Sequence, residues 1–293
     1  LLIHNEVPSA FFLNHWPRVD SNQTKRKQAN NLKPLNLVIT FLSFMTFQMG
    51  MARDLPEIIS SSILRVGTTG DYAPLTLCDK QNHCEGFAID MAQSLGKYLM
   101  QISGKPISVE FMRTSWPDLH NDLENDRFDI AMGGITRTDA RSQHFLLSDN
   151  IIPSGKVVLM QKNLARSYAG MNDDQLIKQL NTSNLHLVVN PGGTNQEFAR
   201  KQLSDMDFTL TADNREPFLM LRNHLADAMI TDRTEALYQV KQIPSLVIIN
   251  DAMFSWTVSS KVYMSQKNSK LLISEVNRWL KTIDIQSMQE RWF

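Results

Sequence analysis

Residues 188–200 read VVNPGGTNQEFAR. An apolar run at 185–189 gives way to Asn190, Pro191, Gly192 and Gly193, and from Thr194 onward the composition is that of a helix. The stretch therefore reads as strand, tight turn, helix. Two glycines let the backbone turn sharply and approach a ligand closely. The first N–H groups of the helix have no intrahelical partner, so the turn suits a carboxylate or another anion. A lone GGT also occurs in ordinary strand-to-helix connections, and its meaning depends on the chain around it.

On the N-terminal side, 63–68 reads as a strand ending at 69–72, and Ile89, Met91, Ala92, Leu95 and Leu99 then recur at helical spacing. A second strand at 107–111 completes a βαβ unit, followed by a short amphipathic helix at 116–125 and a buried strand at 128–132 that stops at Gly133-Gly134. The alternation resumes after 157. Strands at 157–160, 185–189, 208–210, 226–231 and 246–249 are interleaved with helices at 173–181, 194–203, 216–224 and 233–240. Such alternation indicates an α/β fold with mainly parallel sheets. In these sheets ligands bind beyond the carboxyl ends of the strands. Polar and charged residues gather at four such ends, 69–72, 133–141, 190–196 and 231–232, and together they outline a cleft. No Pro-, Gly- or Ser-rich linker separates the two halves.

Composition narrows the partner. The 293 residues carry 30 basic and 30 acidic side chains, so no charge excess favours nucleic acid or an anionic membrane, and a small molecule is expected instead. With 42% hydrophobic and 20% charged residues, the chain is long enough for one large or two medium domains. The seven histidines show no metal-ligand spacing, the two cysteines form no CxxC pair, and no GxGxxG or GKS/T fingerprint occurs. Neither a metal nor a cofactor is expected.

Lys25, Arg26, Lys27 and Lys33 precede an apolar run at 35–49 and then Gly50-Met51-Ala52. Basic region, short apolar core and small residues in that order read as a secretory signal cleaved after Ala52, with 1–24 as upstream sequence. The apolar core contains Asn36 and Gln48 and is short for a permanent span, and no cysteine follows the cleavage point, so no stable membrane anchor is expected. Residues 1–52 are set apart from the fold, and the expected location is the periplasm. In that oxidising compartment Cys78 and Cys84 can cross-link the base of the polar loop 79–83; two reduced thiols are the alternative.

Several segments in order carry a resemblance. GFAIDMAQSLGKYL (86–99), DRFDIAMGGITRTDARSQHFLLSD (126–149), GGTNQ (192–196) and ADAMITDRTEA (226–236) resemble the periplasmic amino-acid-binding proteins of bacterial importers, the type 3 solute-binding proteins. TTGDYAP (68–74), TSWPDL (114–119), SGK (154–156), NPGGTN (190–195) and MITDRTEA (229–236) are similar to the cyclohexadienyl dehydratases, a catalytic branch of that fold.

The resemblance, which covers about 62–293, implies a two-lobed periplasmic-binding-protein fold of type II with the ligand between the lobes. Lobe 1 would comprise 62–156 plus 253–293 and lobe 2 would comprise 157–252. It also implies that Arg141 grips a ligand carboxylate through its planar fork, with Thr136 and the backbone near Gly134 adding donors. Thr194 and Asn195, at the helix start after Gly193, would hold a carboxylate from the other lobe. Asp232 would pair with a ligand ammonium, and Trp116 would lie against the ligand.

The dehydratases expel water and carbon dioxide from prephenate or arogenate, and the leaving hydroxyl needs a proton donor. Their motif reads GGTNE, whose glutamate is taken as that donor. Here the position is Gln196, an amide that forms hydrogen bonds but delivers no proton at neutral pH. Glu197 is one residue on, about 100° around the helix. Arg137 is a further departure, since the family has an apolar residue there. Asp71 and Lys156 remain dehydratase-like, and Lys156 would suit a second ligand carboxylate.

Three functions stay open: a periplasmic dehydratase with catalysis weakened at Gln196; a non-catalytic receptor that delivers an amino acid or carboxylate to the permease of an ABC importer; and a sensor that uses the fold without transport.

Overall fold

A computed structural model of the chain describes residues 53–293; the signal and upstream segment assigned to 1–52 lie outside the described residues. The first part runs α1 (Leu55–Ser61), β1 (Ile63–Thr68) and a small flap of β2 (Asp71–Tyr72), β3 (Thr76–Cys78) and β4 (Cys84–Glu85). It continues through α2 (Phe87–Ser103), β5 (Ser108–Arg113), α3 (Leu119–Glu124), β6 (Ile130–Thr136), α4 (Asp139–His144), β7 (Phe145–Leu147) and β8 (Ile152–Ser154). The chain then crosses into β9 (Lys156–Gln161), α5 (Asp173–Asn181), β10 (Leu187–Val189), α6 (Gly193–Gln202) and β11 (Phe208–Leu210). α7 (Glu216–Arg222), β12 (Ala228–Asp232), α8 (Arg233–Gln242) and β13 (Leu246–Ile248) finish that part, and β14 (Ser259–Gln266), α9 (Lys270–Leu280) and α10 (Ile285–Trp292) return to the first.

Two large sheets result beside the three-stranded flap β2-β3-β4, one ordered β5-β1-β6-β14-β7 with β8 also paired to β14, the other β11-β10-β12-β9-β13. Both are mixed, which corrects the expectation of mainly parallel sheets. β1 runs parallel to β5 and β6, and β10 to β11 and β12, whereas β9, β13 and β14 pair antiparallel with their neighbours. The parallel pairs are those joined through a helix. β9 and β14 arrive straight from the other sheet, without the helical crossover that parallel neighbours require.

Each sheet is covered by helices whose apolar stripe faces it. Met91, Ala92, Leu95 and Leu99 of α2 pack with Leu272, Val276 and Trp279 of α9 over β1 and β6. Burying each such large side chain contributes about 1.5–3 kcal/mol. In the second sheet Val157–Met160 and Ala228–Ile230 are buried on both faces, as the central strands of a covered sheet must be. α1 begins with a capping box between Asp54 and Glu57, and α2 ends at Gly104, whose N–H donates to Met100 O.

β6 runs on through Gly133 and Gly134 to Thr136, where a stop was expected. The glycines allow close approach here. Gly134 has φ +98° and a Cβ on it would sit 2.3 Å from the Tyr72 ring, so the strand continues while the flap closes onto it. Cys78 and Cys84 face each other in register across β3 and β4 and are joined by a disulfide.

Candidate functional site

The turn from β10 into α6 is built as its glycines allow. Gly192 and Gly193 have φ +69° and +63°, and a Cβ on Gly192 would come within 3.0 Å of the Pro117 nitrogen, so the turn sits directly against the Trp116-Pro117 corner of the other sheet. Gln196 does not enter this space. Its Oε1 accepts from the Gly192 N–H at 2.7 Å, closing the turn on itself. Asn195 Nδ2 donates to Asn190 Oδ1 at 2.9 Å, which fixes the amide so that its oxygen faces Lys156.

Behind the turn lies a buried cluster of charge. Lys156, at the start of β9 and 4% exposed, donates from Nζ to Asp232 Oδ1 at 2.8 Å, to Thr194 Oγ1 at 2.6 Å and to Asn195 Oδ1, so all three of its protons are used. Asp232 ends β12, and its second oxygen accepts from Lys261 Nζ at 2.7 Å and from the Tyr72 hydroxyl at 2.5 Å. Lys261 also donates to Gly134 O and Thr136 Oγ1, both at 3.0 Å.

Burial alone would raise the Asp232 carboxyl, but the Lys156 and Lys261 ammoniums outweigh it and hold the group well below the usual carboxylate range. Burial pushes Lys261 down to about 8, with Asp232 opposing part of that fall. Burial raises the Tyr72 phenol, and the neighbouring Asp232 and Glu235 raise it further. Glu235 is itself pushed well above its ordinary value, mainly by burial, against hydrogen bonds from Thr231 and Asn214.

Arg141, in α4 and 6% exposed, donates from Nη1 to Thr136 O at 2.7 Å. Its Nε donates to His120 Nε2 at 3.3 Å; burial first and the adjacent guanidinium second depress that imidazole, which keeps it neutral and able to accept. The two bonds hold the guanidinium through Nε and Nη1, and among the described residues no hydrogen bond takes its Nη2. Trp116 meets the Tyr72 ring edge-on, with centroids 5.6 Å apart.

These groups enclose a cleft between the strand ends of the two sheets. Its cavity is about 20 Å³, room for little more than a water. Of the residues named from sequence, Trp116, Gly134, Thr136, Arg141, Thr194, Asn195 and Asp232 line it together. Lys156 stands behind the lining, holding Thr194, Asn195 and Asp232. Asp71 lies outside the cleft and borders a neighbouring hollow instead, because its Oδ2 accepts the Asn214 backbone N–H at 3.2 Å. Gln196 is likewise outside the lining, turned away by its bond to Gly192. Arg137, just past the end of β6, donates to Asn150 Oδ1 and Ser148 O and borders a hollow next to the cleft with Thr136, Lys156 and Thr194.

The structure adds Tyr72, Asn190 and Asn214 to the lining and Lys261 behind it. A signal for Lys261 was present: a lone lysine in SSKVYMS, flanked by Val262, Tyr263 and Met264, is a charge in what packs as a buried strand. Nothing local marks Asn214. Among the described residues no group of three or more His, Cys, Asp or Glu is arranged to hold a metal, and no helix is long and apolar enough to cross a membrane.

Comparison with known proteins gives a consistent result. Residues 64–293 match the model of the bacterial extracellular solute-binding proteins, family 3. The cyclohexadienyl dehydratase of Pseudomonas aeruginosa is 31% identical over 242 residues, covering 81% of this chain and 85% of the relative. The L-cystine-binding protein TcyJ of Escherichia coli K12 is 24% identical over 244 residues, covering 82% and 85%. Among solved structures, an ancestral amino acid-binding protein described as a precursor of cyclohexadienyl dehydratase is 30% identical, with a TM-score of 0.70 over 82% of this chain and 98% of that one.

Proposed function

The chain belongs to the bacterial extracellular solute-binding proteins, family 3, and from that premise we propose that it is a periplasmic receptor that closes its lobes on a small carboxylate ligand without converting it. The observation that carries this reading is the state of the carboxyl groups. Position 196 is an amide bonded back to Gly192, and Asp232, the one carboxylate lining the cleft, is held ionised by two ammoniums and a phenol. Dehydration needs an acid aimed at the leaving hydroxyl. Binding needs only donors, and these are present: Arg141, Thr194 and the N–H groups that open α6. The division into 62–156 plus 253–293 and 157–252 fits a hinge at the two crossings between the sheets, with delivery to an importer permease as the biological use. Relatives that are amino-acid-binding proteins support the same reading.

A second reading, dehydration and decarboxylation of prephenate, draws support from the 31% identity to a cyclohexadienyl dehydratase and from one contact. Lys261, lowered to about 8 and still protonated at neutral pH, lies 3.2 Å from the hydroxyl of Tyr72, which lines the cleft. In that reading the proton for the departing hydroxyl comes from Tyr72 and is replaced from Lys261.

The test uses residues 53–293. Prephenate is added while phenylpyruvate is followed, and heat of binding is measured with prephenate and with single amino acids. The receptor reading predicts binding that Arg141→Ala abolishes, with no turnover above the spontaneous rate. Turnover by the native protein that Tyr72→Phe removes would replace the receptor with the dehydratase.

A further inference from the structure

Among the described residues, two buried polar atoms in the cleft wall have no hydrogen-bond partner, and they are of opposite kind. Asn214 is 1% exposed and lines the cleft. Both hydrogens of its Nδ2 are committed, one to Glu235 Oε1 at 2.6 Å and one to Asp71 O at 3.2 Å. That assignment fixes the amide orientation, because both partners are oxygens. Its Oδ1 is buried and receives no donor. Across the cleft, Trp116 also lines the cavity, and its indole Nε1–H is buried without an acceptor. Buried polar atoms are nearly always satisfied, so an acceptor and a donor left over on facing walls of one cleft mark where a ligand makes its bonds.

The charge in the cleft bears on which ligand group donates. Arg141 lines the cleft and Lys156 and Lys261 stand behind it, and Asp232, the single lining carboxylate among the described residues, already accepts from both lysines and Tyr72. A ligand ammonium placed here would meet three cations and find its expected partner occupied. A hydroxyl adds no charge and both donates and accepts.

We propose that Asn214 Oδ1 accepts from a ligand hydroxyl and that Trp116 Nε1 donates to the same polar end of the ligand, so that this pair selects hydroxylated carboxylates over their deoxy analogues. The proposal rests on the carboxylate-receptor reading and adds the class of ligand. Asn214 is a fitting reader because it is oriented before the ligand arrives. Glu235, on the same sheet's α8, pins its Nδ2, and the backbone of Asp71 completes the pinning when the lobes meet. Trp116 is held by its edge contact with Tyr72 and by the turn at Gly192-Gly193.

The experiment is calorimetry with matched pairs: L-malate against succinate, phenyllactate against 3-phenylpropionate, and L-alanine as an ammonium-bearing probe, with prephenate as a hydroxylated dicarboxylate. The native protein is expected to bind a hydroxylated probe about tenfold or more tighter than its deoxy partner, the scale set by leaving a buried acceptor unpaired. Asn214→Leu should bring that ratio to about one. Trp116→Phe, which keeps the ring and removes only the N–H, should lower the ratio in a protein of unchanged fold.

Equal affinity within each pair, a ratio unchanged in both variants, or binding of L-alanine in preference to the hydroxy acids would overturn the proposal. The receptor reading survives those outcomes if Arg141→Ala still abolishes whatever binding is seen. If no carboxylate binds at all, both readings fall together.

Discussion

The side-chain oxygen of Gln196 accepts a hydrogen bond from the backbone N–H of Gly192, four residues back, at 2.7 Å. The bond closes the turn that leads from β10 into α6, so this residue shapes the turn without entering the cleft. It follows that Gln196→Ala should cost about 1 kcal/mol, the net worth of one hydrogen bond, in urea unfolding at pH 7. Gln196→Glu should keep the bond and gain about 0.3–1 kcal/mol from a carboxylate in the first turn of a helix. That gain should vanish as pH falls through the carboxylate range and the side chain is protonated. A gain that persisted at low pH would rule out the charge explanation.

Arg141 is held through Nη1 by Thr136 O and through Nε by His120, and its Nη2 has no partner among the described residues; in the receptor reading it meets a ligand carboxylate there. Arg141→Lys keeps the charge but loses the fork, and should weaken carboxylate binding by about tenfold or more; Arg141→Ala should abolish it. Calorimetry on both variants checks this, and lysine performing as well as arginine would show that charge alone is read.

Asp232 stands between Lys156 and Lys261. Removing it leaves two buried ammoniums facing each other, so Asp232→Ala should destabilise the protein by about 3–5 kcal/mol. Lys261→Met removes one of the two cations while Lys156 and Tyr72 still satisfy the carboxylate, and should cost much less. Denaturant melts of the two variants side by side decide the order; equal losses would mean that the three groups act as an indivisible unit.

Glu235 and Asp232 belong to one cluster and respond to pH in opposite senses. Burial raises Glu235 well above its ordinary value, so its contribution is fully present below the unfolded carboxyl pKa and is lost as pH rises through its folded one. Asp232 is depressed, so its contribution is present above the ordinary range and is lost on acidification. Glu235→Gln accepts from Asn214, donates to Thr231 and never ionises. Relative to the native protein it should therefore gain stability as pH rises above the ordinary carboxylate range, read as a growing difference in urea midpoint. A difference independent of pH would show that Glu235 does not titrate in that window.

What the sequence disclosed follows from how far each signal reaches along the chain. The strand-turn-helix at 188–200 and the alternation on both sides of it were legible because apolar periodicity and glycine turns are local, and β11 and α5 fell where the periodicity put them. β2 and β4 have two residues each, too few to show a period, and β14 is interrupted by Lys261, which reads as a surface residue until its partners are known. In the cleft, Arg141, Thr194 and Asp232 could be named from motif resemblance. Tyr72 lay within the strand end 69–72 but its role did not show, and Asn214 had no local signal, because they meet their partners Asp232 and Asp71 across 160 and 143 residues of chain. No window of sequence spans that distance.

The Tyr72–Asp232–Lys261 bridge joins the two halves of the fold, with Tyr72 on the flap, Lys261 on the first large sheet and Asp232 on the second. A ligand too large for a cavity of about 20 Å³ enters only after those bonds have parted. The bridge is thus an intramolecular competitor of every ligand. The measured affinity is the intrinsic affinity scaled by the fraction of molecules standing open, and breaking this bridge is part of the free energy of opening. A variant that loosens the bridge without touching the ligand would bind more tightly than the native protein, as though the cleft had been improved when only its resting position had changed.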